Sequence, residues 1–377
     1  MDFTFDEDQE LLRSTTRRFL EERHPLSALR PVLEAPEVVD RPQWRAGAEL
    51  GWTAMLIAPE HGGGAITTQP LVDLVAIAEE LGRVLHPGPL VPTNVVADAV
   101  ARFGPPGLGK ELLPGIASGE LLPAWALTAD GSADPSAVGV AASDAGDDLR
   151  LDGVASFVHG ATVADVVLVA VNAAAGLLHV ALPLPHPGVT IRRLDGIDLT
   201  RRLGELCFDD ARVPRSAVVA GPGGDAEALT VRALAVATVI QAAELVGAAE
   251  HLFEITVQYA KDRVQFGRPI GSFQAIKHRL ADLFIEVEAM RAATHDAALA
   301  LSDGAHDAAE AVAVAGSYVP DAFAHLCGEA LQLHGGIGFT WEHDVHLFIR
   351  RAKLAQVLYG EPAAHRERLC QILEAAV

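Results

Sequence analysis

The chain changes texture twice, and the order of its three textures is the strongest constraint on its fold. Residues 6–30 place Leu11, Leu12, Phe19, Leu20 and Leu26 among charges at helical spacing, and residues 42–54 read as a second short helix ending near Gly51. Beyond a PEHGGG loop at 59–64, the helical pattern resumes over 69–85, 93–103 and 110–118. After Pro123 it gives way to short runs (AWALT, LRLDG, VVLVAV, LLHVALPL, GVTIRRL, GELCFDD) separated by Gly, Pro, Asp and Asn, which predict strands and turns. Past GPGGDAEA at 221–228, helical spacing returns over 229–260, 273–301 and 308–333, with Pro320 expected to kink or break the last. On the second of these, Ile276, Leu280, Leu283, Val287 and Met290 mark one apolar stripe. A doubly wound sheet needs strands and helices to alternate, so this order excludes one. The expected parts are an α-helical domain over 1–120, a β-domain over 121–225 and an α-helical domain over 226–377.

Half of the 377 residues are apolar and 21% are charged, which excludes a disordered or collagen-like chain. Against 50 Asp+Glu stand 29 Lys+Arg, a formal charge of −21 that argues against nucleic acid as a partner. Cys207, Cys327 and Cys370 have no ligand spacing and read as small buried hydrophobes in a reducing compartment. The start, MDFTFDEDQELL, is acidic where a secretory signal is basic, so a cytoplasmic location is expected. The apolar stretch over 163–184 is interrupted by Asp165, Asn172, Gly176, His179 and Pro183 and reads as two strands of a hairpin in preference to a membrane span.

Dinucleotide, Walker, zinc-protease and serine-hydrolase motifs are missing, and the 15 histidines form no metal-ligand pairs. His278, His295 and His325 read as surface or packing residues, and no metal is expected. Two stretches concentrate cations and glycines: KDRVQFGRPIGSFQAIKHR at 261–279 and QLHGGIGFTWEHDVHLFIRRAK at 332–353. The first ends one helix, turns through Gly267, Pro269 and Gly271 and starts another, offering backbone N–H groups beside Arg263 and Arg268 to a pyrophosphate. Gly335, Gly336 and Gly338 would let a large ligand approach the backbone. The plainer alternative is two solvated turns between helices.

R-x-Q-F-G-R-P-I-G-x-F-Q from Arg263 to Gln274, the following A-I-K-H-x-x-A-D, Q-L-H-G-G-I-G-F-T and the R-x-A-K of 350–353 resemble the C-terminal signatures of acyl-CoA dehydrogenases. The likeness in order and length covers nearly the whole chain. It implies an α+β fold of the acyl-CoA dehydrogenase type, with an N-terminal helical domain, a middle β-domain and a C-terminal four-helix bundle. It further implies FAD held between the β-domain of one subunit and the C-terminal domain of its neighbour, in a dimer or tetramer. Carried over, it places Arg263, Phe266, Gln274, Gln332 and Gly336 at the adenosine pyrophosphate of a neighbour's FAD. Leu127 and Thr128, in the strand that begins near Trp125, are placed at the flavin pyrimidine. Phe157 and His159 occupy positions where the family has a tryptophan flanking the flavin and a threonine near its N5.

Desaturating a thioester requires a buried base at the α-carbon while a hydride leaves the β-carbon for the flavin. Many relatives carry glutamate directly after the tyrosine of a Y-E-G-T motif, but here the segment is Leu358-Tyr359-Gly360-Glu361-Pro362. A second known location, near the start of the first C-terminal helix, holds Ala237. Three readings stay open: Glu244 as base or substrate contact, Glu244 in a structural ion pair, and Glu361 as base. Ala237, Gln241, Glu244 and Ala248 share one helix face; the resemblance implies that this face lines the acyl cavity, which makes Gln241, with Tyr359, a candidate substrate contact. Glu250 and Glu254 read as a solvated face.

The resemblance implies an FAD-dependent acyl-CoA dehydrogenase passing electrons to an electron-transfer flavoprotein, acting on a ring-bearing or functionalised acyl-CoA if the polar cavity is taken at face value. The alternative is a non-catalytic partner that completes the FAD sites of an α2β2 heterotetramer with a second such chain, as in sterol side-chain degradation. A flavin oxidase or monooxygenase on the same fold is a third class that no residue selects.

Overall fold

The computed structural model describes residues 5–375. The first four residues of the acidic start lie outside the described part. Six helices come first: α1 (Glu7–Arg23), α2 (Leu29–Leu33), α3 (Arg41–Ala48), α4 (Pro70–Arg83), α5 (Leu90–Phe103) and α6 (Pro106–Ala117). Asp6 caps α1, accepting from the Gln9 N–H while the Gln9 side chain accepts from the Asp6 N–H, and Asp40 caps α3 ahead of a proline. Both acidic caps complement the positive ends of their helices.

The β-domain comprises β1 (Pro123–Ala126), β2 (Val140–Ala145), β3 (Asp148–His159), β4 (Val166–Ala173), β5 (Gly176–Pro183), β6 (Val189–Leu194), β7 (Leu203–Pro214) and β8 (Val218–Ala220). The strands run β6-β7-β3-β2-β4-β5-β8, with β1 parallel to β4 off that path. The stretch over 163–184 is the expected hairpin, β4 pairing antiparallel with β5 from Val166↔Pro183 to Ala173↔Gly176. Two strands were not anticipated: β2, whose VAASDA is poor in β-formers, and the three-residue β8.

The last part opens with α7 (Asp225–Asp262), followed by a two-residue hairpin, β9 (Val264–Gln265) and β10 (Arg268–Pro269). Then come α8 (Gln274–Asp303), α9 (Ala308–His334), α10 (Val345–Ala355) and α11 (Pro362–Ala375). Leu283, Val287 and Met290 of the expected α8 stripe are buried. Helix α9 continues through Pro320, because packing on α7, α8, α10 and α11 outweighs one lost hydrogen bond. Helix α7 is long and apolar enough to cross a membrane by length and composition, yet 78% of its most apolar window is buried against its neighbours.

Helices α4 and α7 cross so closely that a β-carbon on Gly82 would overlap the Glu244 carbonyl, and one on Gly247 the Glu79 carbonyl. Charges suture this crossing. Arg83 bonds Glu250 at 2.9 Å and Glu254 at 2.5 Å, Arg291 bonds Glu79 at 3.0 Å, and Arg17 holds Glu80 through two bonds of 2.7 Å. Glu250 and Glu254 are therefore paired across α4 and α7, correcting the expectation of a solvated face. Among the cysteines only Cys327 is fully buried, Cys207 being intermediate and Cys370 exposed.

Candidate active site

A cleft of about 890 Å³ opens between the β-domain loop 130–134, Phe157, and the segment that leaves α10 and enters α11. Glu361 lines it with Leu358 and Gly360. An adjoining recess of about 40 Å³ is walled by Trp125, Leu127, Thr128, Leu234 and Tyr359, the rings of Trp125 and Tyr359 stacking at 6.0 Å. Five residues picked out in the sequence thus converge: Leu127, Thr128, Phe157, Tyr359 and Glu361. Thr128 is buried and donates its hydroxyl to the Ser132 carbonyl at 2.7 Å, pinning the mouth of the loop.

His159 is not part of this cleft. In a regular strand, residues 157 and 159 would share a face. Here β3 and β7 shift register between Ala155 and Val158, and Phe157 stands at φ 57°. The bulge turns Phe157 outward, 45% exposed, and leaves His159 inside at 4%. Burial, followed by the fields of Arg201 and Arg351, pushes the His159 imidazole well below its usual pKa, so it is neutral.

Glu244 is also withdrawn from the cleft. Its carboxylate is bonded to Arg201, both residues being 2% exposed. Beside them Arg351 bonds Asp198 at 2.6 Å and Thr200 at 2.6 Å, while the Thr200 N–H and hydroxyl donate to Asp198 at 2.9 and 2.6 Å. Burial would raise the Asp198 carboxyl, but Arg351, Arg201 and the Thr200 bonds together hold it below its usual value. Two cations and two anions thus neutralise each other in the interior, the arrangement that buried charge requires. Of the open readings for Glu244, the structure supports the ion pair. Gln241 uses its amide N–H₂ to hold the Ala355 and Leu358 carbonyls at 3.2 and 3.1 Å, bracing the end of α10. No sequence motif announced Asp198, Arg201 or Arg351, since their partners lie 43 to 153 positions away.

The other predicted group gathers at the far end of α7. Tyr259 stacks on His334 at 4.6 Å, bringing the turn after α7 to the turn after α9. Phe266 is 92% exposed at φ 54°, edge-on to Phe273, and Arg268 lies 4.1 Å over the Phe273 ring. Arg263 and Gln274 are exposed, and among the described residues neither side chain has a hydrogen-bond partner or ion pair. A β-carbon on Gly267, Gly335 or Gly336 would meet nothing within 4 Å. A guanidinium, two carboxamides (Gln274 and Gln332) and an open helix N-terminus suit a pyrophosphate. Exposed Phe339 and Trp341 adjoin them.

The two groups are far apart. Leu234 marks the recess and Arg263 follows the last turn of α7, so at 1.5 Å per residue about 40 Å of helix separates them. No dinucleotide spans that. Charge separates them too: Asp130, Asp134, Glu361 and Glu367 line the cleft against Arg368 alone. Hydrogen bonds from Ser132 and Ser136 keep Asp130 and Asp134 below the usual carboxylate range, hence ionised. Among the described residues, no group of three or more His, Cys, Asp or Glu could hold a metal.

Comparison with known proteins places these features in a family. The acyl-CoA dehydrogenase N-terminal domain profile matches residues 6–120 and the C-terminal domain profile matches residues 228–373. Acyl-CoA dehydrogenase IpdE2 of Mycolicibacterium smegmatis is 32% identical over 96% of this chain and 98% of its own. Among solved structures, the ChsE4-ChsE5 complex from Mycobacterium tuberculosis superposes with a TM-score of 0.89 at 28% identity, covering 99% of each chain. A structure described as the electron transferring flavoprotein of Acidaminococcus fermentans superposes at 0.90 with 26% identity, again over 99% of each chain.

Proposed function

The chain belongs to the acyl-CoA dehydrogenase family of FAD-dependent oxidoreductases, and on that premise we propose that it desaturates an acyl-CoA thioester in the cleft between its β-domain and α11, with Glu361 as base. The observation that carries the choice of base is the opposite placement of the two glutamates. Glu361 opens onto the cleft, whereas Glu244 is consumed by Arg201. Bound FAD supplies the hydride acceptor. Glu361 takes the α-proton, Phe157 and the Trp125–Tyr359 stack wall the apolar space around the acyl group, and the braced Leu358 turn holds the base. General-base catalysis contributes about 10²–10⁴-fold.

The cofactor site is completed by two chains. The residues that suit the pyrophosphate stand some 40 Å from the flavin-facing residues of the same chain, and the cations they contribute are what the acidic cleft lacks. The exposed aromatic residues around Arg263 give that end a surface to bury against a second subunit. An electron-transfer flavoprotein is the proposed acceptor, in line with the likeness to the Acidaminococcus structure. The second subunit is a copy of this chain or a related one. Gly360 at the usual base position and the likeness to the two-chain ChsE4-ChsE5 complex favour keeping the related chain in view.

The test is flavin content followed by substrate bleaching. Protein purified alone should carry close to one flavin per chain. Butyryl-CoA and cyclohexanecarbonyl-CoA, a straight-chain and a ring-bearing probe, are then added without oxygen. Glu361→Gln should slow bleaching at least ~100-fold while flavin stays bound. Bleaching retained in Glu361→Gln refutes the base, and flavin acquired only with a second gene product assigns the chain to a heteromer.

A further inference from the structure

The turn that carries Glu361 is strained. Tyr359 and Gly360 stand at φ 65° and 117°, so the chain leaving α10 passes through two left-handed residues before α11 begins. A left-handed non-glycine residue is strained and persists only where its surroundings over-determine it. His365, in the first turn of α11, supplies that determination. Its imidazole packs against Gly360 and lines one slot with Tyr359, and its main-chain N–H donates to the Glu361 carbonyl at 3.2 Å. Burial lowers the imidazole pKa, so the ring is neutral near pH 7.

Two glycines make room for this ring. A β-carbon on Gly316 of α9 would stand 2.6 Å from the ring atoms Cε1 and Nδ1, and one on Gly360 would stand 2.7 Å from Nε2. Neither distance tolerates a methyl group, so the slot exists only because both positions lack side chains. Glycine therefore stands directly after the tyrosine for a physical reason: a side chain there would run into His365. The carboxylate sits one position later, where the chain enters α11 and Glu361 lines the cleft.

We propose that His365 is a positioning residue: wedged between Gly316 and Gly360, it locks the left-handed turn and so sets where the Glu361 carboxylate stands over the cleft. His365 lines the small slot behind the turn, not the cleft, and touches no reacting atom. The assignment rests on Glu361 being the base, and a 1 Å misplacement of such a group costs about 100-fold.

Two measurements on the flavin-loaded oligomer test it. Amide hydrogen exchange over 359–362 should accelerate at least ~10-fold in His365→Ala, while the protected amides of α9 keep their rates. With whichever probe thioester bleaches the flavin, His365→Ala should slow bleaching by between about 10- and 100-fold with KM changed less than ~2-fold. Asn and Gln place a planar amide of comparable reach in the same slot, so either His365→Asn or His365→Gln should restore both readouts. Unchanged exchange in His365→Ala, or slow bleaching that neither amide rescues, overturns the proposal. Glu361→Gln run in parallel separates the two ideas: an active Glu361→Gln removes the base, whereas an inactive Glu361→Gln beside a fully active His365→Ala removes only His365. If neither thioester is oxidised, the exchange pattern decides by itself.

Discussion

Replacing Glu244 by Gln separates a base from a buried ion pair, because the two roles predict losses in different quantities. The substitution keeps shape and removes one charge, leaving Arg201 and Arg351 against Asp198 alone, all of them no more than 2% exposed. Breaking a buried pair on one side costs about 3–5 kcal/mol. At about 2–4 °C per kcal/mol for a domain of some 150–250 residues, the midpoint should fall by roughly 6–20 °C. Adding Arg201→Met removes the stranded cation, and a desolvated pair replaced by apolar groups is often neutral or better. The double variant should therefore recover most of the loss. The assay is thermal or urea unfolding of all four members of the cycle, read alongside the rate of flavin bleaching. A Glu244→Gln protein within ~1 kcal/mol of wild type that has lost bleaching would refute the ion-pair reading and return Glu244 to the chemistry.

His179 is buried with its Nε2 hydrogen-bonded to the Thr230 hydroxyl at 2.8 Å, and burial lowers its pKa from 6.5 to about 4. Between those values the unfolded chain binds a proton that the folded chain refuses, so stability is lost as pH falls from 6.5 to 4, by on the order of 3 kcal/mol. His179→Gln should flatten that part of the urea-midpoint profile, and an unchanged slope would assign it elsewhere. Gly247→Ala should cost at least ~2 kcal/mol by overpacking, since its methyl meets the Glu79 backbone; a chemical melt checks it. Arg263→Ala should lower flavin per chain while leaving the apoprotein melt within ~0.5 kcal/mol, because Arg263 is exposed. Co-expressing Arg263→Ala with the cleft variant Gly131→Val should restore flavin that neither holds alone, one intact site forming per hybrid pair; no restoration would place both halves in one chain.

Features that depend on neighbours in sequence were legible. The helix–strand–helix order, the β4–β5 hairpin and the Arg263–Gln274 turn all follow from periodicity or contiguous motifs. What sequence hid was set by distance and by parity. The Arg201–Glu244 pair joins a β-domain loop to the middle of α7, so only packing could show that Glu244 was already spoken for. A register shift in β3 reverses the parity on which a face assignment for residues 157 and 159 would rest. His365 was invisible because its role lies in two absent side chains, at Gly316 and Gly360, one in α9 and the other just before α11.

Helix α7 runs unbroken from the mouth of the cleft, past the Gly82–Gly247 crossing, to the turn at Arg263. Each residue added to an α-helix advances its end by 1.5 Å and swings it by about 100°. A one-residue insertion between Ala248 and Tyr259 would spare the cleft of the chain that carries it and re-aim the far end away from its neighbour. With the proposed two-chain cofactor site, the injured site would belong to the other subunit, so mutant and wild-type chains mixed in one assembly would show loss of function in the chains that carry no lesion.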